Sequence, residues 1–178
     1  MIEPSYKTLL SQIKAFVFDV DGVLTDGTVI VDTEGQLLRN MNIKDGFALK
    51  TAIDQGYPTC IISGGTNPGV KKRLEGLGLK DVHLGAYHKM DLLQDFIKKY
   101  NLAPESLCYM GDDLPDHEVM SVVGLPCCPQ DAVPEIKSIA KYISHRAGGD
   151  GCVRDIIEQV LKTQHNWFSS GSVSGREG

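Results

Sequence analysis

The sequence predicts an α/β fold: a doubly wound parallel sheet with helices on both faces. Three observations predict it. Three short apolar runs, Ala15 to Phe18, Thr59 to Ile62 and Leu107 to Met110, lack polar alternation and so read as buried strands, and Val82 to Leu84 reads as a further short strand. Stretches of helical periodicity separate them, as parallel neighbours require. Three strands end in polar sets, Asp19/Asp21, Ser63-Gly64-Gly65 and Gly111-Asp112-Asp113, and ligands of such sheets bind at the carboxyl ends of the strands.

Residues 1–13 read as a leader with a short helical piece, Tyr6 to Ile13, on the sheet edge. After the first strand, Thr28 to Val31 and Gln36 to Met41 flank Asp32-Thr33-Glu34-Gly35, the pattern of an inserted β-hairpin. A lone two-stranded ribbon is marginal, so this one calls for a packing partner such as another subunit. Asp45 and Gly46 open a helix with Phe47, Leu49, Ala52 and Ile53 at apolar positions, ending at Gly56. Asn67 and Pro68 start the next, which runs through Leu77 and stops at Gly78. His88 to Tyr100 is amphipathic, with Lys98 and Lys99 near its negative end. Leu114 to Val122 reads as helix, Gly124 to Cys127 as strand, and Ala132 to Ala140 as helix. Tyr142 and Ile143 close the sheet, Arg146 to Gly151 is a flexible loop, and Cys152 to Thr163 is a terminal helix. Residues 1–168 are expected to form a single domain; 169–178, small and polar, read as a disordered tail or an appended remnant.

At 178 residues and 42% hydrophobic, the chain suits one core. A formal charge of -5 and the lack of a basic stripe argue against nucleic acid as a partner. No apolar run approaches a membrane span and no signal segment is evident, so no membrane partner and a cytoplasmic location are expected. The five cysteines form no Cys-x-x-Cys pair and read as small buried hydrophobes; the histidines lack zinc spacing.

The chemistry centres on Asp19 and Asp21. An ionised carboxylate at a buried strand end needs a cation or several donors; the plain alternative is an Asp/Gly turn. If the strand ends converge, three or four carboxylates and the ammonium of Lys89 share a small space, and a histidine-free oxygen shell favours Mg²⁺. Such a site suits phosphoryl transfer. The cations neutralise phosphoryl oxygens, Ser63 and backbone amides bind another, one carboxylate attacks phosphorus and a second exchanges protons.

Asp19-Val-Asp21-Gly, Ser63, Lys89 and Gly111-Asp112-Asp113 with Asp116 resemble the four motifs of the haloacid dehalogenase superfamily, whose core is Rossmann-like. The resemblance implies Asp19 as nucleophile and metal ligand, and Asp21 as general acid/base with its carbonyl on the metal. It implies Asp112 as the third ligand and Ser63, Gly64 and Lys89 around the phosphate. Asp113 and Asp116 would support Lys89 or the metal waters, or be solvated acids at a helix start. Gly22 to Ser63 has room for the hairpin and one helix, so no cap domain is expected. These features, Asn42-Ile43-Lys44-Asp45-Gly46 and the C-terminal Gly-rich loop resemble the 3-deoxy-D-manno-octulosonate 8-phosphate phosphatase family. That implies a sugar-acid phosphate substrate of lipopolysaccharide biosynthesis and a homotetramer with shared active sites. It places Asn42, Ile43, Lys44, Asp45, Gly46, Lys50, Arg73 and Arg146 along the sugar acid; for Lys50 and Arg73 a solvated helix face is the alternative. Gly65 departs from the Arg that many of these enzymes carry there, which leaves the precise sugar acid open, and two alternatives stand beside the eight-carbon reading. One is a nine-carbon keto-acid 9-phosphate as substrate. The other, of a different class, is an oligomerisation or regulatory module for a sugar-nucleotide synthetase.

Overall fold

The computed structural model describes residues 5–167; the 169–178 segment lies outside them. Strands β1 (Ala15–Phe18), β4 (Thr59–Ile62), β5 (Asp81–His83), β6 (Leu107–Met110), β7 (Leu125–Cys128) and β8 (Tyr142–Ile143) form one parallel sheet in the order β5-β4-β1-β6-β7-β8. From β1 the chain builds outward through β4 and β5, then returns to add β6 on the other side. The carboxyl end of β1 is therefore the switch point of the sheet, where ligands of such folds bind.

Alternation along the strands sorts side chains between two cores. Phe16 and Phe18 of β1, with Cys108 and Met110 of β6, pack against α2 (Ile43–Asp54), α3 (Pro68–Gly76) and α7 (Cys152–Thr163). Ala15, Val17, Leu107 and Tyr109 face α4 (Lys89–Tyr100), α5 (His117–Met120) and α6 (Pro134–Ile139). Both faces are covered, which is why these strands read as unbroken apolar runs. All five cysteines are free and buried in this packing. Among the described residues no helix is long and apolar enough to cross a membrane.

Several elements differ from their sequence-based bounds. The hairpin pairs only β2 (Ile30–Val31) with β3 (Leu37–Leu38). Its turn lies at Asp32 to Gly35 as expected, with Asp32 Oδ1 accepting from the amides of Glu34 and Gln36. The pairing is lost at the base, where Thr28 bonds to Asp26 and Arg39 turns to Asp21. Its apolar residues Val29, Ile30, Val31, Leu37 and Leu38 are exposed. Helix α2 starts at Ile43, capped by the Asn42 side chain on Lys44 N, rather than at Asp45. Pro115 sits in a 3-10 turn, Leu114–Asp116, so the 114–122 stretch is a turn followed by the short α5. Arg146 to Gly151, expected to be flexible, is tied down. Gly149 N donates to Val23 O, Gly148 N to Asp131 Oδ1, and Asn42 Nδ2 to Gly149 O. These bonds fasten the loop to the turn that follows β1, to the segment after β7 and to the cap of α2.

Candidate active site

The turn after β1 is closed by amides of Val23, Leu24 and Thr25 on Val20 O, with the buried Thr25 hydroxyl accepting from Gly22 N. Gly22 has φ +84°, and a Cβ there would collide with the Asp112 carboxylate. A glycine is required at this crossing. Asp19 is buried at the strand end, its Oδ1 accepting from Val20 N at 2.6 Å and its Oδ2 facing Lys89 Nζ at 3.0 Å. Lys89, the first residue of α4, donates from the same ammonium to Asp116 Oδ1 at 2.8 Å. Asp116 is fully buried and also accepts from Tyr109 Oη at 2.6 Å and Asp112 N at 3.2 Å.

Asp19, Asp112 and Asp116 each offer a carboxylate oxygen, all within 4.8 Å of one another. Two ionised carboxylates at that separation repel by about 3 kcal/mol at an effective dielectric near 20. Burial, and then the neighbouring carboxylates Asp19, Asp116 and Asp113, push Asp112 up to about 7. Burial and Asp116 also raise Asp19, against the lowering pull of Lys89. Burial would lower Lys89, but Asp19 and Asp116 outweigh it and hold the ammonium above its ordinary value. One cation thus faces three acids, and the Asp112 carboxylate accepts no hydrogen bond from the described residues. This oxygen-only donor set with excess negative charge fits a hard divalent cation.

A pH dependence follows. Folded Asp112 and Asp19 bind their protons more tightly than the unfolded chain does, so the metal-free fold is favoured below the ordinary carboxylate range near 4. That stability is lost as pH rises through about 7. Asp45, pushed up to about 6 mainly by burial, acts in the same sense. Thermal melts from pH 5 to 8 should therefore show the stabilisation by Mg²⁺, relative to EDTA, growing with pH. A Mg²⁺ effect that shrinks with pH would contradict this electrostatic picture.

The remaining sequence-derived residues fall into distinct places. Asp21 lies beside Asp19 in the chain, but its side chain turns to Arg39, with Nε to Oδ1 at 2.7 Å and Nη2 to Oδ2 at 3.0 Å. Ser63 is buried at the end of β4, its hydroxyl accepting from Gly65 N, with Gly64 next to it. Asp113 is exposed and caps its own Leu114 N; Asp116 alone of the two contacts Lys89. Asn42 caps α2, Ile43 and Lys44 are exposed, and Arg73 lies against Gly46, across the α2–α3 contact. Asp45 turns inward, where Oδ1 accepts from Arg154 N of α7 and the buried Oδ2 has no hydrogen-bond partner among the described residues. Lys50 pairs with Asp54 one turn on, an ordinary helix-surface contact. Arg146 lies 3.6 Å from Asp150 and lines a groove with Lys44 and Arg154, away from the carboxylate cluster's own residues. Sequence reasoning missed Tyr109 and Arg39. A tyrosine inside an otherwise aliphatic buried strand is a usable signal for the first; nothing local marks the second.

Residues 81–156 match the model of the haloacid dehalogenase-like hydrolases. The chain is 34% identical to the 3-deoxy-D-manno-octulosonate 8-phosphate phosphatase of Salmonella typhimurium over 163 residues, 92% of this chain and 87% of that protein. It belongs to that phosphatase family. The crystal structure of the family's Yersinia pestis member superposes with a TM-score of 0.89 at 29% identity, covering 92% of this chain and 88% of the other. The Moraxella catarrhalis enzyme, solved with magnesium ion, phosphate ion and KDO, superposes at 0.86 with 30% identity, covering 90% and 92%. The family fold and the six-stranded parallel sheet agree, and the expected haloacid dehalogenase-like core is borne out.

Proposed function

We propose that the chain is a Mg²⁺-dependent phosphatase that hydrolyses 3-deoxy-D-manno-octulosonate 8-phosphate to the free sugar acid and phosphate, a cytoplasmic step toward lipopolysaccharide. The observation that carries the chemistry is Lys89, buried between Asp19 and Asp116 and beside Asp112 at the switch point of the sheet. The eight-carbon substrate rests on similarity along nearly the whole chain to relatives named for it.

In this reading a carboxylate oxygen of Asp19 attacks phosphorus as the bond to the sugar oxygen breaks, and Asp21 gives that oxygen its proton. Asp21 then takes a proton from water, whose oxygen attacks the aspartyl-phosphate at phosphorus, releasing phosphate and restoring the Asp19 carboxylate. Lys89, the Ser63 hydroxyl and the Gly64 amide hold phosphoryl oxygens throughout. Asp19, Asp112 and the Asp21 carbonyl would hold Mg²⁺, which supplies neutralising charge for the phosphoryl group. Arg73, which lies against Gly46, and the Asn42 to Gly46 segment would bind the sugar acid. Lys50, bound to Asp54, contributes only if that pair opens. The exposed apolar hairpin supports assembly into a homotetramer with shared active sites.

The test is phosphate release with Mg²⁺ over eight- and nine-carbon 2-keto-3-deoxy acid phosphates and simple sugar phosphates. A kcat/KM at least about tenfold higher for the eight-carbon acid, roughly 1.4 kcal/mol of transition-state preference, is expected. A preference for a nine-carbon acid would overturn the substrate. No hydrolysis of any ester would overturn the phosphatase.

A further inference from the structure

The grip of Arg39 on Asp21 lies outside the haloacid dehalogenase motifs, and it bears on the proton transfer that the proposed reaction needs. Arg39 follows β3, and its guanidinium makes three hydrogen bonds. Nε and Nη2 take the two oxygens of Asp21, and Nη1 donates to Leu37 O at 2.9 Å. The same Leu37 carbonyl accepts from Asn67 Nδ2 at 2.7 Å, so the base of the hairpin is bound both to the loop after β4 and to the acid. The Arg39 side chain is 7% exposed, against 39% for Asp21. A long, entropically costly side chain is thus buried to hold a half-exposed carboxylate.

Gly65 makes room for the arrangement. A Cβ there would lie 3.1 Å from Asp21 Oδ2, 3.4 Å from Arg39 Nη2 and 3.7 Å from Ser63 Oγ. The guanidinium, the acid and the hydroxyl expected on phosphate therefore surround one point. A two-point fork fixes the plane of a carboxylate, which a lysine cannot do. Both oxygens of Asp21 accept from the fork, and opening one of the two bonds frees an oxygen for proton exchange with the leaving group. A phosphoryl oxygen bound at Ser63 would take the freed donor, since Arg39 Nη2 and Ser63 Oγ border the same Gly65 position.

We propose that Arg39 is a positioning residue for Asp21: its fork orients the carboxylate and exchanges one of its two bonds for a phosphoryl oxygen as the leaving group departs. This rests on the phosphatase reading and on Asp21 as its acid. Its signature is leaving-group selectivity. A sugar or alkyl leaving oxygen needs the proton that Asp21 delivers; p-nitrophenolate does not.

The experiment compares kcat and KM of Arg39→Ala, Arg39→Lys and Gly65→Ala with wild type on an alkyl phosphate and on p-nitrophenyl phosphate, with Mg²⁺. Arg39→Ala is expected to lower kcat/KM on the alkyl ester about 10²-fold and on the aryl ester less than about fivefold. The ratio kcat/KM reports the step in which the leaving group departs and not the later hydrolysis of the aspartyl-phosphate, which both esters share and which lowers kcat on both. Guanidinium added to the buffer should restore part of the alkyl activity, and Arg39→Lys should recover little of it. Gly65→Ala, which crowds the pair without removing a charge, should show the same selectivity at smaller amplitude. Equal losses of kcat/KM on both esters, or full activity in Arg39→Ala, would each overturn the proposal. Wild-type turnover of the aryl ester is the separate check on the phosphatase itself; its absence would overturn that reading and, with it, this one.

Discussion

Asp19→Asn is expected to lower phosphate release by about 10³-fold or more while the protein stays folded. The amide has the size of the carboxylate, and its oxygen can keep the bond from Val20 N. It cannot form the acyl-phosphate bond on which the two-step reaction depends. Stability should hold because two effects oppose each other: the ion pair to Lys89 weakens, and the repulsion from Asp116 disappears. A melting temperature within a few degrees of wild type, measured beside the activity, separates loss of chemistry from loss of fold. Retention of normal activity would remove Asp19 from the role of nucleophile.

Lys89→Met is expected to cost both activity and stability. Lys89 is the cation between Asp19 and Asp116, and removing it leaves two buried carboxylates to share a methionine's apolar surface. Breaking a buried pair from one side typically costs about 3–5 kcal/mol, because the other charge stays behind. For a domain of this size that is a fall of about 10 °C or more in melting temperature. The loss of a phosphate-binding charge should lower kcat by about 10²-fold or more. Adding Asp116→Asn should recover much of the stability and none of the activity, since the amide no longer needs the cation but the phosphate still does. Equal stability of Lys89→Met and wild type in EDTA would contradict the electrostatic balance described for this cluster.

The strands that build the site were legible because burial on both faces leaves a plain mark. Ala15 to Phe18, Thr59 to Ile62 and Leu107 to Met110 are continuous apolar runs, and β1, β4 and β6 occupy those same residues. The acids at their ends were conspicuous because nothing in a core favours them. Lys89 is different: it opens an amphipathic helix like many lysines, and only its partners, 70 and 27 positions away, set it apart. Asp45 reads in the sequence as the start of a helix, whereas α2 begins two residues earlier and the Asp45 carboxylate accepts from Arg154 N of α7, more than a hundred residues later. Arg39 gives no local signal, since its meaning lies in an ion pair that forms only when the hairpin folds back over the turn after β1. The hairpin's strands are shorter than their apolar pattern because the residues at its base bond elsewhere, Thr28 to Asp26 and Arg39 to Asp21.

The most direct test of the account is to trap the covalent intermediate. Protein mixed with substrate and Mg²⁺, quenched in acid and treated with borohydride, would have an aspartyl-phosphate reduced to homoserine, which peptide mass spectrometry locates. The account expects homoserine at position 19, dependent on substrate and Mg²⁺ and absent from Asp19→Asn. Turnover with an unmodified Asp19, or homoserine at another aspartate such as Asp21 or Asp112, would contradict it.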